Sequence, residues 1–181
     1  MRKQLFFILA SICISSLMSA QLMISKVVGK NADKYKLGYG IFSFYDFPVG
    51  EVGNNSVRLE LFDAAVFPSK SQGWDSLTGY VSIKLGFKHI FSSETTTGFY
   101  VEPQIGYGRV VSGETGPNDA NYGDGIAAAL EAGYTVEVGQ RGQHLNFGVK
   151  YETIKADKEH TISSVGLRFS YEFNMFRRKS E

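Results

Sequence analysis

The chain has 181 residues, room for one domain and its core but hardly for two. Its 19 Lys and Arg stand against 18 Asp and Glu, a formal charge of +1, so no charge excess points to nucleic acid or to an anionic surface. The 20 glycines and 14% aromatic residues, with only 4 prolines, suit strands and turns better than helices.

Residues 1–20 read as a cleaved export signal. Arg2 and Lys3 form its basic start, Leu5 to Leu17 is largely apolar, and Ser19-Ala20 supplies small residues before a cut near Ala20/Gln21. Met18 occupies the −3 position, where a smaller residue is usual, which leaves room for a slight shift of the cut. The apolar run is short for a spanning helix, which needs roughly 20 residues. With Arg2 and Lys3 removed, the formal charge of +1 becomes −1. Cys13 is the only cysteine and falls inside the signal. Ile12 precedes it where a lipoprotein anchor needs a small residue, so the mature chain carries neither disulfide nor thiol chemistry.

From Gln21 onward the chain reads as strand after strand, with no helical period. Seven strands stand out in order: Leu37–Tyr45, Ser56–Phe67, Leu77–Ile90, Gly98–Val111, Ile126–Val138, Leu145–Thr153 and Ser164–Phe173. Bacterial single-chain membrane barrels have an even number of strands, and Leu22–Val28 supplies the eighth. A polar tail, 174–181, follows. No run after residue 20 approaches a spanning helix, so a membrane reading requires a closed barrel, because lipid offers no partner to an open sheet edge. With the N-terminus in the periplasm, connections 30–35, 68–76, 112–122 and 155–159 lie outside the cell, and 46–54, 92–96 and 140–143 lie in the periplasm. Asp46–Asn54 is long for a periplasmic turn and 155–159 short for an external loop.

Alternation defines two faces. In Leu77–Ile90, Leu77, Val81, Ile83, Leu85 and Phe87 oppose Thr78, Tyr80, Ser82, Lys84 and Lys88. Aromatics recur near the ends of the apolar faces: Phe87, Phe99, Tyr107, Tyr134, Tyr151, Tyr171 and Phe173. From Phe99 to Tyr107 is about 27 Å along a strand, or roughly 20 Å of height at a ~40° tilt, near the ~25 Å apolar band of membrane barrels. The other face mixes glycines (Gly86, Gly106, Gly108, Gly133, Gly148, Gly166) with charge. Its basic members are Arg58, Lys84, Lys88, Lys150 and Arg168; its acidic members are Glu60, Glu102, Glu131, Glu137, Glu152 and Glu172. Small residues between large ones fit a narrow lumen, and near balance of charge fits pairing inside it. The opposite arrangement, apolar face inward, is a soluble lipocalin-like barrel.

The signal ending Ser19-Ala20-Gln21, the alternating strands, and a closing strand Val165-Gly-Leu-Arg-Phe-Ser-Tyr-Glu-Phe173 together resemble the small eight-stranded outer-membrane barrels of Gram-negative bacteria, the OmpA/OmpX-like group. The resemblance implies an all-β, antiparallel up-and-down transmembrane barrel over residues 21–173. It also implies delivery by the barrel assembly machinery, which in such proteins recognises a final aromatic residue, here Phe173 or Phe176.

Catalytic and metal-binding patterns are weak. His89, His144 and His160 are scattered without ligand spacing. His160, Ser163, Ser164 and Glu172 distantly resemble a lipid-deacylating set. However, Ser163 points away from His160, and Ser164 lies about 13 Å along the strand, beyond hydrogen-bond reach. Asp119, Asn121 and Asp124 do not space as a calcium loop. The expectation is a monomer in the outer membrane with no catalytic, cofactor or metal site and no nucleic-acid partner. Its partners are outer-membrane lipids, and external loops give it a structural or surface-interaction role. The alternatives are a narrow channel, a small-ligand carrier, or the soluble binding barrel.

Overall fold

Turn residues at short intervals and β-branched or aromatic residues between them give eight antiparallel strands. They are β1 (Gln21–Val27), β2 (Gly38–Val49), β3 (Asn55–Ser69), β4 (Gly73–Ile90), β5 (Gly98–Glu114), β6 (Asn121–Val138), β7 (Gln143–Lys155) and β8 (Thr161–Glu172). The structure is a computed structural model that describes residues 21–50, 53–92, 96–114, 121–138, 143–156 and 161–172. Each strand pairs with its sequence neighbour, and β8 closes on β1, so the sheet is a closed barrel in chain order. The expected export signal (residues 1–20), His160, Asp119, Phe173 and Phe176 lie outside the described residues.

Partner-to-partner register fixes the barrel's geometry. From Leu22 the paired residues run through Ile41, Ala64 and Val81 to Arg109 in one direction. In the other they run through Phe169, Phe147 and Tyr134 to Phe99. Both paths end on β5, and a full circuit therefore slips by the ten residues between Phe99 and Arg109. Such a stagger in eight strands requires a tilt of about 40° and leaves an interior wide enough only for side chains.

We call the end with the β1–β2, β3–β4, β5–β6 and β7–β8 connections the upper end. There β3 and β4 are separated by three residues, and β5 and β6 run to Glu114 and from Asn121. Strand thus takes in 68–69 and 73–76 of the expected loop 68–76, and 112–114 and 121–122 of the expected loop 112–122. Pairing continues through Leu77↔Gly113 and Ser112↔Asn121, because flanking residues alternate well enough to extend the ladder. At the lower end, Asp46–Val49 belongs to β2 and pairs with Asn55–Arg58, so only 50–54 of the expected connection 46–54 lies between the strands.

Burial reverses the soluble pattern. The outward face carries Leu22, Ile24, Ile41, Ile83, Leu85, Phe99, Ile105, Leu130, Phe147, Val149 and Leu167, all exposed. The inward face carries Arg58, Glu60, Asp63, Lys84, Glu102, Glu131, Lys150, Glu152 and Arg168, all buried. A soluble barrel would invert this arrangement, so the lipocalin-like alternative fails. The apolar exterior is bounded below by Phe99 and Tyr134, stacked edge to face with centroids 4.9 Å apart. It is bounded above by Arg109, whose guanidinium grips the Asp124 carboxylate at 2.5 and 2.7 Å. Aromatic rings and charged heads at these levels match the two rims of a membrane-spanning band.

Candidate functional site

The inward side chains form three layers. At the upper end Val27, Phe67, Val110, Ile154 and Ile162 meet as an apolar stopper. Tyr35, on the connection above β1, packs against it and accepts a hydrogen bond from Thr78 Oγ1 at 3.1 Å. That connection is held down by backbone bonds from Lys36 N to Pro68 O and from Lys70 N to Lys34 O, both 2.8 Å. A cavity of about 50 Å³, bordered by Asn31, Tyr35, Thr78, Ser112 and Thr161, remains beside the stopper. That is room for a water or two and too small for a drug-sized ligand.

Beneath the stopper lies a dense ionic layer. Lys84 Nζ reaches Glu152 at 2.5 Å, Asp63 at 2.9 Å and Glu60 at 3.0 Å. Lys150 Nζ reaches Glu152 at 2.8 Å, Glu60 at 3.1 Å and also Asp63. Arg168 spans Glu60 at 2.6 Å and Glu131 at 2.7 Å, with its guanidinium 3.4 Å from the centre of the Phe42 ring. Tyr80 and Ser82 hydroxyls complete Glu152, and the Tyr100 hydroxyl completes Glu131 at 2.5 Å. Buried charges require this density of partners, since an ion left unpaired in a dry interior is costly.

The lower layer opens toward the mouth. Arg58 binds Asp46 in a two-point grip at 2.6 and 2.7 Å, Glu172 at 2.9 Å and Glu102 at 3.1 Å, and it stacks 3.5 Å over Phe44. Lys88 sits over the Tyr100 ring and bonds Asn146 Oδ1 at 3.0 Å. Tyr100 needs space to lie across the lumen. A Cβ at Gly133 or Gly148 would fall 2.7 Å from its outer atoms, so glycine at both positions makes room for the ring.

All five expected basic residues are in the lumen. Five of the six expected acids are there as well. The exception is Glu137, which keeps the inward parity but is exposed, because it lies at the lower end of β6 where the lumen meets water. Two acids escaped the alternation argument, Asp46 and Asp63. Asp46 sits in what reads as a loop. Asp63 is turned inward by a β-bulge: Glu60 pairs with Lys84 but Asp63 with Ser82, so β3 holds one extra residue and changes phase. The signal was present as adjacent apolar residues, Leu61-Phe62, where strict alternation would place only one.

Among the described residues, the candidate side chains Ser163, Ser164 and Glu172 do not come together, and His160 lies outside them. Ser163 faces outward and bonds Thr153 at 2.9 Å, Ser164 faces the lumen, and Glu172 is engaged with Arg58 and Asn146 at the far end. His89 faces outward near the lower rim, 2.7 Å from Asn55 Oδ1, while His144 is buried on the other face of the wall. Asp124 is committed to Arg109.

No protein-family model and no curated protein sequence matches the chain. Among solved structures it resembles Neisserial surface protein A (NspA), with a TM-score of 0.63 and 13% identity over 87% of this chain and 95% of that one. It also resembles Ail, the attachment invasion locus protein of Yersinia pestis, with a TM-score of 0.51 and 13% identity over 84% and 94% of the two chains. Both are small eight-stranded outer-membrane barrels, and at this identity the shared property is the fold.

Proposed function

We propose that the chain is a monomeric, non-conducting, non-enzymatic barrel of the Gram-negative outer membrane, which holds its upper-end hairpins outside the cell as a surface for contact. One observation carries the reading: an apolar exterior encloses an ionic lumen whose upper mouth is closed by an apolar stopper. Water-filled pores need a polar path from end to end, and Phe67, Ile154 and Val27, each nearly inaccessible, interrupt it here.

The strand lengths support the surface role. β4 has 18 residues, about 45 Å of height at the tilt above, against an apolar band of ~25 Å. The excess lies at the upper end, where Trp74, the one tryptophan, is 63% exposed. The names of the two similar proteins, a surface protein and an attachment locus, agree with such a role. Delivery by the assembly machinery through the end of β8 belongs to the same proposal.

Two measurements test it. Purified protein in planar bilayers is expected to give no steady conductance, and reproducible single-channel steps would favour the narrow-channel alternative instead. A variant with residues 70–75 and 112–123 replaced by tight turns is expected to fold with normal heat-modifiable gel mobility and to lose adhesion of whole cells to surfaces. Unchanged adhesion with intact folding would refute the contact role.

A further inference from the structure

Whole-chain charge is balanced, yet its placement is not. Every lysine or arginine that the described residues expose lies at the upper end, while Phe47, Phe91, Phe99 and Tyr134 mark the lower one. The register converts position into depth. Leu22 lies midway on the register path from Phe99 at the lower rim to Arg109 at the upper one, four strands from each. Ten residues of rise over eight strand steps is about 1.25 residues per step, and each residue adds about 2.5 Å of height at ~40° tilt. Lys26, four residues above Leu22, therefore sits about 10 Å above mid-height. Ser163 and Lys155, counted up from Phe169 and Phe147, sit at about 12 and 14 Å. The upper edge of the apolar band falls among them, about 12.5 Å from the middle. All three side chains share the outward parity, and both lysines are exposed. They also form one row. Lys26 pairs with Val165, two residues from Ser163, and Ser163 pairs with Thr153, two residues from Lys155. One strand across and two residues along is about 8 Å, so Ser163 stands midway between the lysines. Its hydroxyl shares a 2.9 Å hydrogen bond with Thr153 Oγ1. On the β2–β4 side, the same level is filled by the exposed Tyr39, Val66 and Val81.

We propose that Lys26, Ser163 and Lys155 bind the phosphate of an anionic lipid in the upper leaflet, with its acyl chains lying on Ile24, Val165 and Tyr151 just below. The inference rests on the outer-membrane reading and adds a lipid class to it. An ammonium at the edge of hydrocarbon is costly without a counter-charge, although its alkyl stem can carry it upward. At this level Arg109 has Asp124 as its counter-ion, whereas Lys26 and Lys155 have no carboxylate in ion-pair contact among the described residues. A phosphate in front of Ser163 supplies that charge to both. An extended lysine side chain plus one hydrogen bond spans about 9 Å, enough to cover the distance from either side. The phosphate also accepts the hydroxyl hydrogen left over in the Thr153–Ser163 pair, where two hydroxyls share one bond. Position selects the source of the phosphate. The row faces sideways into the bilayer, where a dissolved ion would have to leave water. A lipid phosphate already stands at the edge of the apolar band.

The test is lipid selectivity of the purified, folded barrel. Protein in detergent is titrated with phosphatidic acid or with phosphatidylcholine, whose phosphate is neutralised by its choline, and native mass spectrometry reads the one-lipid complex. Two lysines near one headgroup should favour phosphatidic acid by roughly tenfold. Lys26→Gln combined with Lys155→Gln should abolish the preference, and Ser163→Ala should weaken it. Lys34→Gln combined with Lys70→Gln removes two upper-end lysines outside the row and should leave the preference unchanged. Heat-modifiable gel mobility checks that each variant is folded. Should the Lys26 and Lys155 double variant not fold, each single variant is expected to lower the preference by about threefold. Equal binding of both lipids by the wild type, or full preference in the Lys26 and Lys155 variants, would overturn the proposal. So would an equal loss in the Lys34 and Lys70 variant, or displacement of the bound lipid by inorganic phosphate, which would mark a site for dissolved anions. These readings need no particular membrane, so failure to fractionate with outer membranes would sink the location reading alone.

Discussion

Replacing Arg168 with alanine tests whether the lumen is dry. Arg168 joins Glu60 and Glu131 through bonds of 2.6 and 2.7 Å and stacks on Phe42. The two carboxylates do not suffer equally. Glu60 keeps Lys84 and Lys150 at 3.0 and 3.1 Å, whereas among the described residues Glu131 keeps only the Tyr100 hydroxyl as a direct partner. Breaking a buried pair by removing one member costs about 3–5 kcal/mol, and losing a desolvated cation–π contact costs about 2 kcal/mol. Partial rescue of Glu60 offsets some of this, so we expect a loss of about 4 kcal/mol, near the middle of the range for a broken buried pair. Most of the loss reflects the stranded Glu131, so Arg168→Ala combined with Glu131→Gln should recover much of it. The double-mutant cycle should then show coupling above about 1 kcal/mol. Urea unfolding in lipid vesicles, followed by gel mobility and circular dichroism, measures both. If Arg168→Ala costs less than about 1 kcal/mol, as an exposed pair would, water reaches the ionic layer and the stopper does not seal it.

Leu130 faces lipid opposite Pro103, midway between Phe99 and Tyr107. Leu130→Arg should therefore cost about 2–4 kcal/mol in vesicles, while Val81→Arg should cost about 0–1, because Val81 pairs with Arg109 at the upper rim. Equal costs would show that the register does not set depth. Gly148→Val should displace both Tyr100 and the Glu131 carboxylate, whose atoms lie 2.6–2.7 Å from the new Cβ, and lower the urea midpoint at unchanged slope. A midpoint equal to wild type would mean that the ring has free space. Phe67→Ala with Ile154→Ala should thin the stopper and raise ion leakage in planar bilayers, and a silent bilayer would place the seal in the ionic layer instead. Removing the exposed Arg109–Asp124 pair by Arg109→Gln should leave unfolding within experimental error of wild type, as for most surface pairs.

Alternation in the sequence was sufficient for seven strands and for which side chains share a face, because a strand's side-chain period is two whatever it pairs with. The eighth strand came from the even count of membrane barrels, and the mixture of glycine with balanced charge pointed Lys84 and Lys150 inward and Leu130 outward, as the structure has them. Tertiary structure decided what a period cannot carry. Depth came from the closing register, which puts Val81 at the rim and Leu22 at mid-height, since a circuit of tilted strands links residues by stagger and not by position along one strand. The bulge in β3 turned Asp63 inward, because one extra residue inverts every side chain after it. Partner choice in the ionic layer, Lys84 with Glu152 or Arg168 with Glu60, joins residues far apart in the chain, and these meet only when the eight-stranded sheet closes on itself.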